Sequence, residues 1–93
     1  NGLEMKVEFK TSFLSDLRKV NNQKIVLLVK EIIDELQIID ELKKVKNLKK
    51  LSGFDNAFRI RVRNYRIGIF VVDQTIVLVR ILNRKDIYKY FPK

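Results

Sequence analysis

The chain contains no cysteine and no histidine, and those two absences remove much of the usual catalytic repertoire. Without cysteine there are no disulfides, so nothing argues for an oxidising compartment. A zinc site would lack both of its usual soft ligands. Ser-His-Asp and Cys-His nucleophile systems are excluded, as is a two-histidine ribonuclease. Any chemistry must be carried by carboxylates, hydroxyls, phenols, lysine and arginine. No apolar run approaches the roughly 18–20 residues that a membrane span requires, and no signal-peptide pattern opens the chain. A glycine-rich phosphate loop, an internal repeat and a Pro/Gly/Ser linker are also missing. The expectation is a cytoplasmic protein with no metal, no small-molecule cofactor and no membrane partner.

What is present fits one α+β domain. Asn1-Gly2-Leu3-Glu4 reads as a cloning remnant before a natural start at Met5, leaving residues 5–93 as a single domain of ordinary size. The hydrophobic fraction of 46% is enough for one modest core. The net charge is +9, and its distribution says more than its size. Residues 1–45 hold eight Lys/Arg and eight Asp/Glu, whereas residues 46–93 hold twelve Lys/Arg against Asp55, Asp73 and Asp86. The entire excess lies in the second half, which favours a polyanion partner through phosphate contact and counterion release. Solubility alone is the competing explanation, and the asymmetry weighs against it.

Periodicity sets the elements. Val7 and Phe9 alternate with Lys6, Glu8 and Lys10, the period of a half-buried strand. Thr11 or Ser12 can cap a helix carrying Phe13, Leu14, Leu17 and Val20. Asn22 can cap a second helix, whose stripe is Ile25, Leu28, Val29, Ile32, Ile33 and Leu36. Gln37 to Leu51 admits two readings, a short helix carrying Leu42, Val45 and Leu48, three apart, or an irregular or extended segment over Lys46 to Leu51. Ser52-Gly53 marks a turn. From Ala57 the period is two, and turns at Asn64 and Asp73-Gln74 divide a meander of three antiparallel strands. The predicted architecture is an N-terminal strand, a helical hairpin and the meander, with the helices on one side of the sheet. Gly68, inside a strand, reads as a point of close packing.

The chemistry-bearing residues cluster late in the chain. Arg59, Arg61 and Arg63 are spaced by two, so one strand face carries three guanidiniums. Arg66 follows across the turn, and Arg80 and Arg84 lie near the end of the third strand. Like charges opposed across a sheet are destabilising, so a bound anion would relieve the cluster, and a guanidinium fork suits phosphate. The competing reading is a solvated face with scattered arginines, and it weighs most for Arg63 and Arg80. Tyr88 can stack on a base or take part in proton transfer. Phe91 reads as core, and Tyr90 admits either reading. Lys49 and Lys50 are candidates to touch backbone phosphates. Asp34, Glu35, Asp40 and Glu41 read as solvent-facing rather than as metal ligands.

Three segments carry a family resemblance. Leu48-Lys49-Lys50-Leu51-Ser52-Gly53 is similar to the "KKLKG" segment of the RelE/ParE toxin superfamily. Phe58 to Ile67 resembles "YRIRVGDYRI", and Asn83-Arg84-Lys85-Asp86-Ile87-Tyr88 resembles "HRKDIY". All three occur in order, and the resemblance runs from Met5 to Pro92. It implies a RelE-like fold and the toxin of a type II toxin–antitoxin pair. In the RelE branch it implies a ribosome-dependent endoribonuclease, with the ribosome, messenger RNA in the A site and a cognate antitoxin as partners. The catalytic positions would fall on Arg59, Arg61, Arg66, Arg84 and Tyr88, with RNA contacts from Lys49, Lys50, Arg63 and Arg80. The implied reaction is a transesterification in which a 2′-hydroxyl attacks the adjacent phosphorus and the 5′-oxygen leaves. Two departures stand out: Asn83 replaces a usual histidine, and Arg63 replaces the usual turn glycine. The alternatives are a ParE-like inhibitor of DNA gyrase and a non-catalytic RNA- or ribosome-binding module. Val26, Leu27, Ile38 and Ile39 are apolar residues left over for an antitoxin groove, with burial in the chain's own core expected for half of them.

Overall fold

A computed structural model describes residues 5–92. Asn1 to Glu4, the segment read as a cloning remnant, lies outside the described residues. The alternating start forms β1 (Lys6–Phe9), with Val7 turned to the core. Two helices follow, α1 (Thr11–Arg18) and α2 (Gln23–Leu36). Asn22 caps α2 as its side-chain chemistry predicts: Oδ1 accepts from the N–H groups of Lys24 and Ile25 at 3.0 and 3.3 Å. The stripe on α2 faces inward, with Ile25, Val29 and Leu36 buried and Lys30, Glu31, Asp34 and Glu35 exposed.

The cap expected for α1 is different. Thr11 and Ser12 both lie inside the helix, and Lys10 occupies the cap position without a side-chain bond. Ser12 Oγ instead donates to the Val79 carbonyl at 2.6 Å, tying α1 to the last strand. A hydroxyl that finds a tertiary acceptor no longer serves the helix end.

Both readings of Gln37 to Leu51 hold over part of it. A 3₁₀ turn covers Leu42–Lys44, and a short strand, β2 (Leu48–Lys50), follows. Asn47, at φ +62°, reverses the chain between them, a conformation that asparagine tolerates. The meander is β3 (Ala57–Val62), β4 (Tyr65–Val72) and β5 (Thr75–Asn83), and α3 (Ile87–Tyr90) closes the chain.

The sheet has five strands in the order β1-β5-β4-β3-β2, with β1 parallel to β5 and the other pairs antiparallel. It therefore exceeds the expected strand and meander by β2. The expected layer formed by the helical hairpin is present, and the tail adds a short helix to the fold. Helices α1 and α2 cover one face, where Phe13, Ile25 and Val29 meet Ile60, Ile67 and Leu78, each side chain contributing about 1.5–3 kcal/mol. The one-turn α3 lies on the opposite face, where Ile87 and Phe91 pack with Ala57, Phe70 and Val79. Gly68 explains how it fits: a Cβ there would stand 2.5 Å from the Phe91 ring.

Two tight turns join the meander. Arg63-Asn64 links the paired residues Val62 and Tyr65, and Asp73-Gln74 links Val72 and Thr75. Arg63 has φ +56° and Asp73 φ +49°. For Arg63 that conformation costs roughly 1–2 kcal/mol, the physical reason that glycine suits the position. Arg63→Gly should therefore stabilise the fold, by about 0.5–1 kcal/mol once the added freedom of the unfolded chain is subtracted. A thermal melt checks this, and an unchanged or lowered Tm would contradict it.

Candidate nucleic-acid interface

Strand periodicity decides which arginines meet. In β3, Phe58, Ile60 and Val62 turn to the helices, so Arg59 and Arg61 project from the other, open face. Cross-strand register supplies the rest. Arg61 lies directly opposite Arg66, Arg59 opposite Gly68, and Lys49 opposite Arg59. The Arg61 N–H donates to the Asn47 carbonyl at 3.1 Å, on the side away from β4. Arg61 and Arg66 thus form a pair not bonded to each other through the backbone, the kind with Cα atoms only about 4.5 Å apart. Their side chains leave the sheet as neighbours.

Backbone carbonyls hold two of the guanidiniums. Arg59 Nη1 donates to Asn47 O at 2.8 Å. Arg66 Nη1 donates to Arg63 O and Tyr65 O, both at 2.8 Å, so it is pinned across the β3–β4 turn. The same turn receives the next strand end, because the Arg84 N–H donates to Asn64 O at 2.9 Å. Asn83 Oδ1 accepts from the Lys85 N–H at 3.0 Å and shapes the chain just after β5. Arg84 therefore stands beside the turn that carries Arg63 and Arg66, and Tyr88 follows one element later on α3.

Electrostatics at Arg66 report the same gathering. Its pKa lies below the ordinary arginine value, first because it is half-buried and then because of the positive charges of Arg59, Arg61 and Arg84. Tyr88 is near enough to act on the same guanidinium in the opposite direction. The structure thus brings together Arg59, Arg61, Arg66, Arg84 and Tyr88. Among the described residues no carboxylate lies within ion-pair distance of these four arginines. Tyr88 is 52% exposed, so its ring is available to a ligand. Such a site offers concentrated positive charge, planar forks and an aromatic face, which together suit a phosphodiester and an unstacked base.

The other expected RNA contacts divide. Lys49 shares the open face with Arg59. Arg63 is exposed at the tip of the turn. Lys50 is not brought to the cluster, because the next residue along a strand faces the other way, and it pairs with Phe58 on the helical side. Arg80 is not brought there either. Its Nε and Nη2 donate to Asp16 at 2.6 and 3.0 Å, and its guanidinium carbon lies 5.2 Å from the centre of the Tyr90 ring. The Asp16 bond is the first cause of a raised Arg80 pKa. Phe91 is buried as expected, while Tyr90 is 53% exposed.

A groove of about 280 Å³ adjoins the cluster, between α2 and the end of β3. Leu28, Ile32 and Ile39 line it with Glu31 and Glu35 on the helix side, and Arg61 and Arg63 stand on the strand side. Of the four apolar residues set aside for a partner, Ile39 packs on the core and Val26 is half-buried. Leu27 and Ile38 are 59% and 78% exposed. Two structural residues escaped the sequence reading, Asp16 and Asn47. Asp16 carried a signal, an acid three residues after Phe13 on the apolar side of α1. Asn47 carried none, since it acts through its carbonyl.

A family described as the ParE toxin of the type II toxin–antitoxin system parDE matches residues 7–88. The chain belongs to the RelE/ParE toxin superfamily. Toxin RelE3 of Methanocaldococcus jannaschii is 47% identical over 89 residues, 95% of this chain and 100% of that protein. A RelB–RelE antitoxin–toxin complex from Methanococcus jannaschii contains a chain with 44% identity and a TM-score of 0.80, covering 91% of this chain and 99% of that one. An archaeal RelE–RelB complex from Pyrococcus horikoshii OT3 matches at a TM-score of 0.70 and 19% identity, over 87% of this chain and 96% of that one, a likeness of fold. The match to the Methanococcus jannaschii complex extends over nearly the whole of both chains, so the fold is shared with its toxin chain. Among the described residues no helix is long and apolar enough to cross a membrane.

Proposed function

We propose that this RelE/ParE toxin cuts messenger RNA in the ribosomal A site by transesterification carried out with its own side chains. One observation supports this reading above the others: four arginines without carboxylate partners among the described residues gather with Tyr88 on one open face. Arg59, Arg61 and Arg66 hold the scissile phosphate and stabilise the charge that develops on the phosphorane. Arg84 assists the departing 5′-oxygen. Tyr88 stacks on the base or, in its phenolate form, takes the 2′-hydroxyl proton, and the departing oxygen, its charge held by Arg84, takes a proton from solvent. Arginine is a poor general base with its pKa above about 12, which leaves the phenol as the candidate for that step. Lys49 and Arg63 extend the phosphate track.

The products test the chemistry. Cut messenger should carry 2′,3′-cyclic phosphate and 5′-hydroxyl ends, as read by end-specific ligation; 5′-phosphate ends would contradict the mechanism. Binding to single-stranded RNA should weaken with salt at a slope of roughly −0.7 per phosphate contact, or about −3 for four arginines. A flat salt response would remove the arginine cluster as the binding site.

The partner is a cognate antitoxin, by analogy with the RelB–RelE complex from Methanococcus jannaschii. An antitoxin segment with apolar and acidic side chains would fit the groove beside α2 and neutralise Arg61 and Arg63. The family description also favours a second reading, inhibition of DNA gyrase in the manner of ParE. A supercoiling assay separates the two readings. Binding to RNA or ribosomes without any cut product would mark the third, a non-catalytic module.

A further inference from the structure

Among the described residues Asp16 is the one buried charged side chain, 6% exposed. Its carboxylate accepts three hydrogen bonds, from Arg80 Nε at 2.6 Å, Arg80 Nη2 at 3.0 Å and the Ile81 N–H at 3.1 Å. This two-pronged grip fixes the plane of the Arg80 guanidinium. Arg80 in turn lies over the Tyr90 ring, 5.2 Å from its centre and within cation–π range. Tyr90 belongs to α3, which has only four residues. A single helical turn has no stability of its own and takes its orientation from its contacts.

Those contacts are unequal. Ile87 and Phe91 are four residues apart and buried on the sheet, so they anchor α3 along one line. Anchors on one line leave the turn free to rock about it. Tyr88 and Tyr90 are two residues apart, and at 3.6 residues per turn they leave the helix on nearly opposite sides. A hold on Tyr90 therefore stops the rocking and sets where Tyr88 stands. Tyr88 has no anchor of this kind and is half exposed beside the arginine cluster.

We propose that Asp16, acting through Arg80 and Tyr90, is a positioning residue that orients α3 and thereby places Tyr88 against Arg66. The seating of Tyr88 follows from the contacts themselves, and only its consequence for turnover rests on the nuclease reading. Arg80→Lys keeps a cation beside Asp16 but loses the flat fork, while Tyr90→Phe keeps the ring over which Arg80 lies. The chain has three tyrosines, so fluorotyrosine labelling gives three resolvable fluorine signals, assigned by single Tyr→Phe variants. Arg80→Lys should shift and broaden the Tyr88 signal and leave that of Tyr65 in place. Tyr90→Leu should lower kcat about tenfold to a hundredfold, the scale of a small misplacement, with KM little changed. Tyr90→Phe should retain kcat, and Tyr90→Leu should add nothing in a Tyr88→Phe background. An unmoved Tyr88 signal in Arg80→Lys, or additive losses in the double variant, would overturn the proposal. If the unaltered protein cuts no RNA, the nuclease reading fails, and the fluorine spectrum still decides the seating.

Discussion

Replacing Arg84 by alanine is expected to slow RNA cleavage by about 10²–10³-fold, the usual cost of removing one donor that stabilises developing charge, while RNA affinity changes only a few-fold. The difference follows from when the contact matters. Arg59, Arg61 and Arg66 can grip the phosphate in the ground state, whereas charge on the departing oxygen exists only as the bond breaks. An interaction made only at that point lowers kcat without comparable loss of binding. The substitution is also clean. The backbone N–H of Arg84, not its side chain, bonds Asn64 O, and the side chain is exposed. Single-turnover cleavage and RNA binding, measured on the same preparation, check the split. Equal losses in both would contradict the role at the leaving oxygen.

Gly68→Ala is expected to damage fold and site together. Its Cβ would meet three atoms of the Phe91 ring at 2.5, 2.6 and 2.9 Å, and a ring carbon of a buried residue has no room to yield. Overpacking of this kind costs about 1–3 kcal/mol, and Tm falls roughly 4–8 °C per kcal/mol in a domain of this size. Phe91 also anchors α3, so the same clash displaces Tyr88 and should reduce turnover beyond what stability explains. A smaller side chain at the second position, Phe91→Leu, should recover part of the loss in the Gly68→Ala background, a favourable coupling between contacting residues. Identical melts for Gly68→Ala and the unaltered chain would show that the contact does not constrain the tail.

The elements with a strong period are legible in the sequence itself. The α2 stripe, the Asn22 cap and the alternation of Phe58, Ile60 and Val62 with arginines depend on local spacing, and spacing alone assigns their faces. The same alternation made Arg59 and Arg61 companions. Gly68 was readable as close packing, although its partner Phe91 lies 23 residues further on in the sequence and could not be named.

What escaped depends on tertiary partners. β2 is three residues long, too short for a period to declare itself. The parallel pairing of β1 with β5 joins the two ends of the chain and leaves no local trace. Thr11 and Ser12 looked like caps because their chemistry suits one, yet Ser12 was claimed by a carbonyl 67 residues away. Arg80 looked like a member of the cluster by its place at the strand end. Asp16, 64 residues earlier in the chain, takes it instead, and only the packing of α1 on β5 decides that. Lys50 was separable from Lys49 in principle, since adjacent strand residues face opposite ways, but only once Lys49 and Lys50 are known to lie in a strand.

The most direct test is translation of a defined messenger on purified ribosomes with the protein added, cut sites being mapped by primer extension beside the same RNA free in solution. The proposed function predicts discrete cuts at the codon in the A site and none in the free RNA. Uncut messenger in both, from protein shown to be folded, would contradict it and turn attention to gyrase.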